Sequence, residues 1–181
     1  MPDSDLSQPA PLKGQRIQIC AFWIGDHYCG ITLDSVAEVA QSLTVRAIPL
    51  APNKVEGLAL LRGNIINAIN GRVCMGVEGR PPQDSFSYIV TQRAGETIAI
   101  GVDRVEDIVE VSPEQFSPPP STLPTEQQAL INGAYLLEKK LLVLLNPDEL
   151  GYIPPIKLEY TPPPKIRRRK KSDSGIMEQT A

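Results

Sequence analysis

The stretch FSYIVTQRAGETIAIGVDRVEDIVEV, Phe86 to Val111, decides the fold, because the chain has already written the same pattern once as IQICAFWIGDHYCGITLDSVAEV, Ile17 to Val39. Each copy has two β-rich apolar runs around a turn, at Gly25-Asp26-His27 in the first and Gly95-Glu96 in the second. The residues after each hairpin stay in step: Asp103, Val105, Asp107 and Ile108 stand 69 positions after Asp34, Val36, Glu38 and Val39. A second register appears further on. Gly57 precedes Asn70 by 13 positions and Gly133 precedes Asn146 by 13, so LLVLLN stands 76 positions after IINAIN. Apolar alternation recurs by chance, but two ordered matches with glycines and acids in step indicate a duplication.

The duplication predicts a mainly β protein of two partly intertwined lobes, roughly 15–80 and 81–153. Each would be a small antiparallel barrel of about five short strands, an arrangement that manages exposed edges. A lobe of about 60–70 residues buries little by itself, so the two must pack together. Composition agrees: 18 prolines, 13 glycines and 5% aromatic residues favour many short elements over long helices, and 41% hydrophobic content supports a core. The first strand, Ile17 to Ile24, is apolar on both faces and is expected to be covered on both. DSVAEV is expected to make one helical turn capped by Asp34 or Ser35. Ala40 to Lys54 reads as irregular, since Pro49 and Pro52 exclude a central strand. Gly57 to Arg72 reads as strand, Arg62-Gly63-Asn64 turn, strand.

Residues 1–14 and 154–181 are rich in proline and charge, and both are expected to be disordered arms. Charge is unevenly divided. Between positions 165 and 181, Lys165, Arg167, Arg168, Arg169, Lys170 and Lys171 face Asp173 and Glu178, a net +4, while the chain before them carries the other 12 bases and 19 acids, a net −7. The start of the chain lacks the basic and apolar regions of a signal peptide, and no run approaches the roughly 18 apolar residues of a membrane span. A cytoplasmic protein is the expectation.

Catalytic chemistry has no candidate constellation. No glycine-rich loop leads from a strand into a helix, which disfavours nucleotide binding. His27 lies in a polar turn beside Asp26, where solvation explains it. Glu106-Asp107 and Asp148-Glu149 are sequence neighbours whose side chains diverge, so neither is an acid/base pair. Cys20, Cys29 and Cys74 form no CxxC pair, and one histidine cannot complete a Cys/His zinc set; they read as buried small hydrophobes. No cofactor, metal, small-molecule substrate or nucleic acid is expected.

Five stretches in order, FWIGDHYCGITLDSVAEV, IPLAP, VEGLALLRGNIINAINGR, SYIVTQRAGETIAIGVDRVEDIVEVSPEQ and INGAY with KKLLVLLNPDEL, resemble the CheW family of bacterial chemotaxis coupling proteins. The resemblance covers Gln15 to about Tyr152. It implies two intertwined five-stranded SH3-like barrels and a non-enzymatic adaptor that links methyl-accepting receptors to a CheA-type histidine kinase, beneath the inner membrane. It also implies a receptor-binding surface at Val36, Glu38, Gly57, Arg62 and Gly63, centred on the arginine-glycine turn of the family's NLRG motif. Kinase-contact residues are not implied by any motif.

This sequence departs from that pattern in places. Leu60 replaces the motif's asparagine, Asn67 and Asn70 stand for the usual proline and aspartate, and Gly71 for a leucine. Losing the acid at 70 is expected to leave Arg72 without its usual partner, and Asn70-Gly71 is open to a type I′ hairpin turn. Glu38 is expected to pair with Arg62 and orient it. For the basic tail, a solubilising end and attachment to an anionic surface both remain open. A β-barrel nucleic-acid-binding module using the tail is the alternative reading; the acidic body and the lack of interleaved aromatics argue against it.

Overall fold

A computed structural model of the chain describes residues 16–79, 86–93 and 95–153. The arms expected at 1–14 and 154–181, including the basic run Lys165 to Lys171, lie outside the described residues.

The first repeat is β1 (Ile17–Ile24), β2 (His27–Thr32), β3 (Val36–Ala40), β4 (Val45–Arg46), β5 (Val55–Leu61), β6 (Asn64–Asn70) and α1 (Gly71–Cys74). The second is β7 (Ser87–Arg93), β8 (Glu96–Val102), β9 (Arg104–Val111), β10 (Phe116–Ser117), α2 (Thr125–Leu130), β11 (Ile131–Leu136), β12 (Leu141–Leu145) and α3 (Pro147–Gly151). The first sequence offset carries β1, β2 and β3 onto β7, β8 and β9, and the second carries β5, β6 and α1 onto β11, β12 and α3.

The repeats do not fold side by side. One sheet runs β10-β11-β12-β2-β1-β9 and the other β3-β7-β8-β6-β5-β4, so each repeat gives its first two strands to the other's sheet. The two orders are identical once β1 to β6 are exchanged for β7 to β12. Each donated hairpin joins its new sheet through a parallel pair, β2 with β12 and β8 with β6. The result is a pair of intertwined SH3-like barrels, each with a two-residue strand, β4 or β10, at one edge.

The exchange explains the two-sided burial of β1. Ile19 and Ala21 face the core of their own sheet with Tyr28, Tyr135 and Leu142. Cys20, Phe22 and Ile24 face the other way, into a central core with Ile89, Ile98, Ile100 and Leu150. That central core unites the barrels. A further cluster around Ile66, Tyr88 and Val90 fills the second sheet. Each fully buried large aliphatic or aromatic contributes about 1.5–3 kcal/mol.

Gly57 and Gly133, the repeat-related glycines, lie at bulges in β5 and β11 with φ 153° and 158°. A Cβ at Gly57 would strike the Arg46 carbonyl, and one at Gly133 the Phe116 ring. Both absences let an edge strand close over its neighbour.

Two local expectations are corrected. DSVAEV is not a helical turn: a 3-10 turn covers only Leu33–Ser35, with no side-chain cap, and VAEV belongs to β3. Val36 and Val39 are β-branched, and pairing with β7 outweighs the weak local helix signal. Asn70-Gly71 is not a hairpin turn either. Asn70 caps α1, its side chain accepting from the Val73 N–H at 3.2 Å, as Asn146 caps α3 through the Asp148 N–H at 3.1 Å.

Candidate functional site

β5 and β6 pair through Leu61↔Asn64, leaving Arg62 and Gly63 as a two-residue loop. Their φ values are 50° and 86°, and positive φ at both positions is what a type I′ turn requires. Glycine adopts this freely; for an arginine it is strained. The strained residue is Arg62, whose guanidinium meets the Glu38 carboxylate of β3 at 2.5 Å. Its side chain is still 78% exposed, so the pair orients a cation without hiding it. The expected Glu38–Arg62 contact is therefore present.

The other residues of the implied receptor surface are placed differently. Val36 is half-buried at the start of β3 and packs on the central core. Gly57 is buried at the opposite end of β5 from the turn, beneath β4. Its role in the fold is to admit that strand. The structure thus brings Glu38, Arg62 and Gly63 together on one corner, with Gly57 away from it.

Strand alternation adds residues that the motif did not suggest. Leu60 and Ile65 are cross-strand partners on the outward face, 65% and 72% exposed, directly behind the turn. Leu58 and Asn67, also paired, continue this face. Arg62 therefore stands at the head of an apolar strip. Leu60, which replaces the motif's asparagine, enlarges it.

The repeat-related corner on the other barrel is chemically unlike this one. Arg62 corresponds to Glu138, Gly63 to Lys139 and Glu38 to Asp107, so two acids replace the ion pair. There Lys140 lies 3.6 Å from Glu106 and 4.6 Å above the Tyr28 ring, and Glu106 accepts the Trp23 indole N–H at 2.8 Å. That indole bond, with Lys140 and Arg104 nearby, holds the Glu106 carboxyl below its ordinary range despite some opposing burial. The two ends of the molecule cannot bind the same surface identically.

Arg72 is not left without a partner. Its Nε and Nη2 donate to the two Asp103 oxygens, each at 2.7 Å, and Nη1 donates to the Glu78 carbonyl at 3.0 Å. Burial pushes the Asp103 carboxyl up, but the Arg72 hydrogen bonds, the Gly25 N–H and the Arg72 charge outweigh it and hold the group below its ordinary value. The replacement acid lies 31 residues downstream of Arg72, in the other repeat.

His27 is exposed at the β1–β2 turn. Cys20 and Cys29 are buried in strands, and burial raises the Cys29 thiol to about 12. Cys74 lies in α1 rather than on a strand, half-buried, with its thiol likewise raised by burial. None is a thiolate at neutral pH. Among the described residues, no helix is long and apolar enough to cross a membrane.

Residues 18–152 match the family model described as CheW-like domain. The chain belongs to the CheW-like family. A chemotaxis protein CheW of Helicobacter pylori is 24% identical over 134 residues, which cover 74% of this chain and 81% of the relative. A CheW of Klebsiella aerogenes is 26% identical over 147 residues, covering 80% and 89%. The crystal structure of the scaffolding protein CheW from Thermoanaerobacter tengcongensis superposes with a TM-score of 0.70 at 24% identity, covering 75% of this chain and 92% of that one. The intertwined two-barrel CheW-like fold is therefore shared.

Proposed function

We propose that this CheW-like protein is a non-enzymatic coupling adaptor, joining the cytoplasmic tips of methyl-accepting receptors to a CheA-type histidine kinase in chemotaxis or motility signalling. The observation that carries the reading is the Arg62 guanidinium, fixed by Glu38 on a strained two-residue turn and left mostly exposed. Strain that the surroundings hold in place concentrates at functional positions. Family membership supports the class of function, and the relatives named chemotaxis protein support the pathway.

On this reading the receptor meets Arg62, Gly63 and Glu38 with the Leu60–Ile65 strip, while Val36 and Gly57 shape the strands beneath. The protein works in the cytoplasm at receptor arrays. Lys165, Arg167, Arg168, Arg169, Lys170 and Lys171 add a weak attraction to anionic surfaces, about 1 kcal/mol for each base that reaches one.

Reconstitution with a receptor cytoplasmic fragment and the kinase tests this. The wild-type protein recruits both, and Arg62→Glu loses the receptor while keeping the kinase. A wild-type protein that recruits neither sinks the reading. For the tail, equal cosedimentation with anionic vesicles with and without residues 165–181 removes the surface contact.

A further inference from the structure

Each donated hairpin leaves a cleft where it meets its host sheet, at the start of the parallel pair, and the two clefts have diverged. On the second barrel the starts of β2 and β12 frame an open cleft of about 390 Å³, lined by Trp23, His27 and Tyr28 of the hairpin with Lys139, Lys140 and Leu141 of the facing turn and strand. On the first barrel the starts of β8 and β6 frame its counterpart, about 350 Å³, related by the same two offsets. There Asn64 stands for Lys140, Glu96 for His27 and Thr97 for Tyr28, and the lining residues include no ring and no base. The strands close equally well over an asparagine and a threonine, so the fold alone does not require the aromatic and basic set.

Contacts fix this set in place. The Trp23 and Tyr28 rings pack with centroids 5.0 Å apart and their planes 40° from parallel. Glu106, outside the cleft, accepts the Trp23 indole N–H at 2.8 Å and an Arg104 N–H at 3.2 Å, which holds the indole without help from Lys140. The Lys140 Nζ is 3.6 Å from Glu106, beyond ordinary hydrogen-bond length, and 4.6 Å from the Tyr28 ring centroid. Its side chain is 47% exposed, so it can turn to a ligand while Glu106 stays paired. Lys139 and His27 are exposed at the rim. Asp26, the acid among the lining residues, also acts on Arg72, whose pKa its charge helps to raise. Two lysines and a histidine against that acid make a wall that favours anions.

We propose that this cleft binds a small planar aromatic anion, a carboxylate or a phosphate ester, whose ring lies against Trp23 and Tyr28 and whose charged group meets Lys139 and Lys140. Its volume suits such a ligand, since small-molecule sites run from about 300 to 1,000 Å³. Aromatic pairing and charge-assisted hydrogen bonding are separate contributions, and each demands its own part of the ligand. A ligand there touches a hairpin from the first repeat and a turn from the second, so binding ties two exchanged elements together and raises the melting temperature. The site lies on the other barrel from Arg62 and stands whether or not the protein is an adaptor.

Trp23 is the chain's one tryptophan, so the fluorescence of the full-length protein reads this cleft directly. We expect adenosine monophosphate and 2-naphthoate, the phosphate-ester and carboxylate probes, to bind saturably in calorimetry with Kd below about 1 mM, the first changing Trp23 emission and both raising the melting temperature. Adenosine and inorganic phosphate each offer half of the recognition and bind at least about tenfold more weakly than adenosine monophosphate. Lys139→Gln melts like the wild type without probe and weakens both probes about fivefold, and Lys140→Gln weakens them at least as much. Saturation by one probe alone supports the site and names the anionic group. Saturation by neither below about 10 mM overturns the proposal, as does adenosine or inorganic phosphate binding as tightly as adenosine monophosphate. Binding that is unchanged in both variants assigns the probes to the basic run at 165–171, and that too overturns it.

Discussion

Arg72 grips both carboxylate oxygens of Asp103 at 2.7 Å, and the same carboxylate accepts the Gly25 N–H at 2.7 Å. Asp103 is the residue between β8 and β9, where the chain passes from one sheet to the other. Gly25 lies in the β1–β2 turn and Arg72 in α1. One acid therefore ties a crossover, a donated hairpin and a helix, and the two side chains of the ion pair are well shielded, 17% and 16% exposed. Asp103→Ala should lower stability by roughly 2–4 kcal/mol, since it strands a shielded guanidinium and frees the Gly25 N–H. Arg72→Lys should also destabilise, because an ammonium cannot reproduce the two-pronged grip. Thermal or denaturant melts measure both, and a loss under about 0.5 kcal/mol for Asp103→Ala contradicts this role.

The same acid sets a pH dependence. Its folded pKa is depressed, so its contribution is fully present above the unfolded carboxylate value and disappears as pH falls through the folded one. The loss therefore begins near pH 4 and deepens below it. Melts of wild type and Asp103→Asn across pH 2 to 7 should converge as acid is added, roughly over that range. Parallel curves with a constant offset would contradict the assignment.

Two glycines separate strain from crowding. Gly57→Ala meets the Arg46 carbonyl and forces β4 off the sheet, so it should cost more than about 2 kcal/mol. Gly63 has φ 86° but nothing within 4 Å of an added Cβ, so Gly63→Ala should cost only the backbone term of about 1 kcal/mol. Equal losses in chemical denaturation would refute the distinction.

Removing Glu38 should alter recognition more than stability. Its partner is largely exposed, so Glu38→Ala should change unfolding free energy by less than about 1 kcal/mol. Receptor-fragment affinity should fall several-fold, because Arg62 loses its orientation, and Glu38→Asp should recover part of it. Unchanged affinity in a titration would dismiss the pair as an incidental surface contact.

Sequence periodicity makes the duplicated strands legible, because glycines and acids fix the two offsets independently of apolar alternation. The exchange of hairpins is not legible in detail. A repeat aligned with itself shows which elements are equivalent and nothing about which copy they pair with. Arg72 illustrates the difficulty: the motif points to an acid at position 70 in its own repeat, whereas Asp103 arrives from the other. The caps carry a usable signal. Asn146 followed by Pro147 is a helix start, and the offset between the repeats transfers it to Asn70. The Glu38–Arg62 contact comes through the motif resemblance, whereas the exposed Leu60–Ile65 face requires knowing which side of β5 is covered.

A chain holding a single repeat would leave its β1–β2 hairpin with no partner sheet and its remaining strands lacking two members. Two such chains could each lend a hairpin to the other and satisfy both deficits, which is a domain-swapped homodimer. The protein carries that dimer's architecture on one polypeptide, with partner supply made independent of concentration. Once the halves are fused they no longer have to be alike, and one corner can keep the Arg62–Glu38 pair while its counterpart carries Glu138, Lys139 and Asp107 instead. Fusion of two hairpin-exchanging halves thus turns a symmetric assembly into a body with two distinguishable ends.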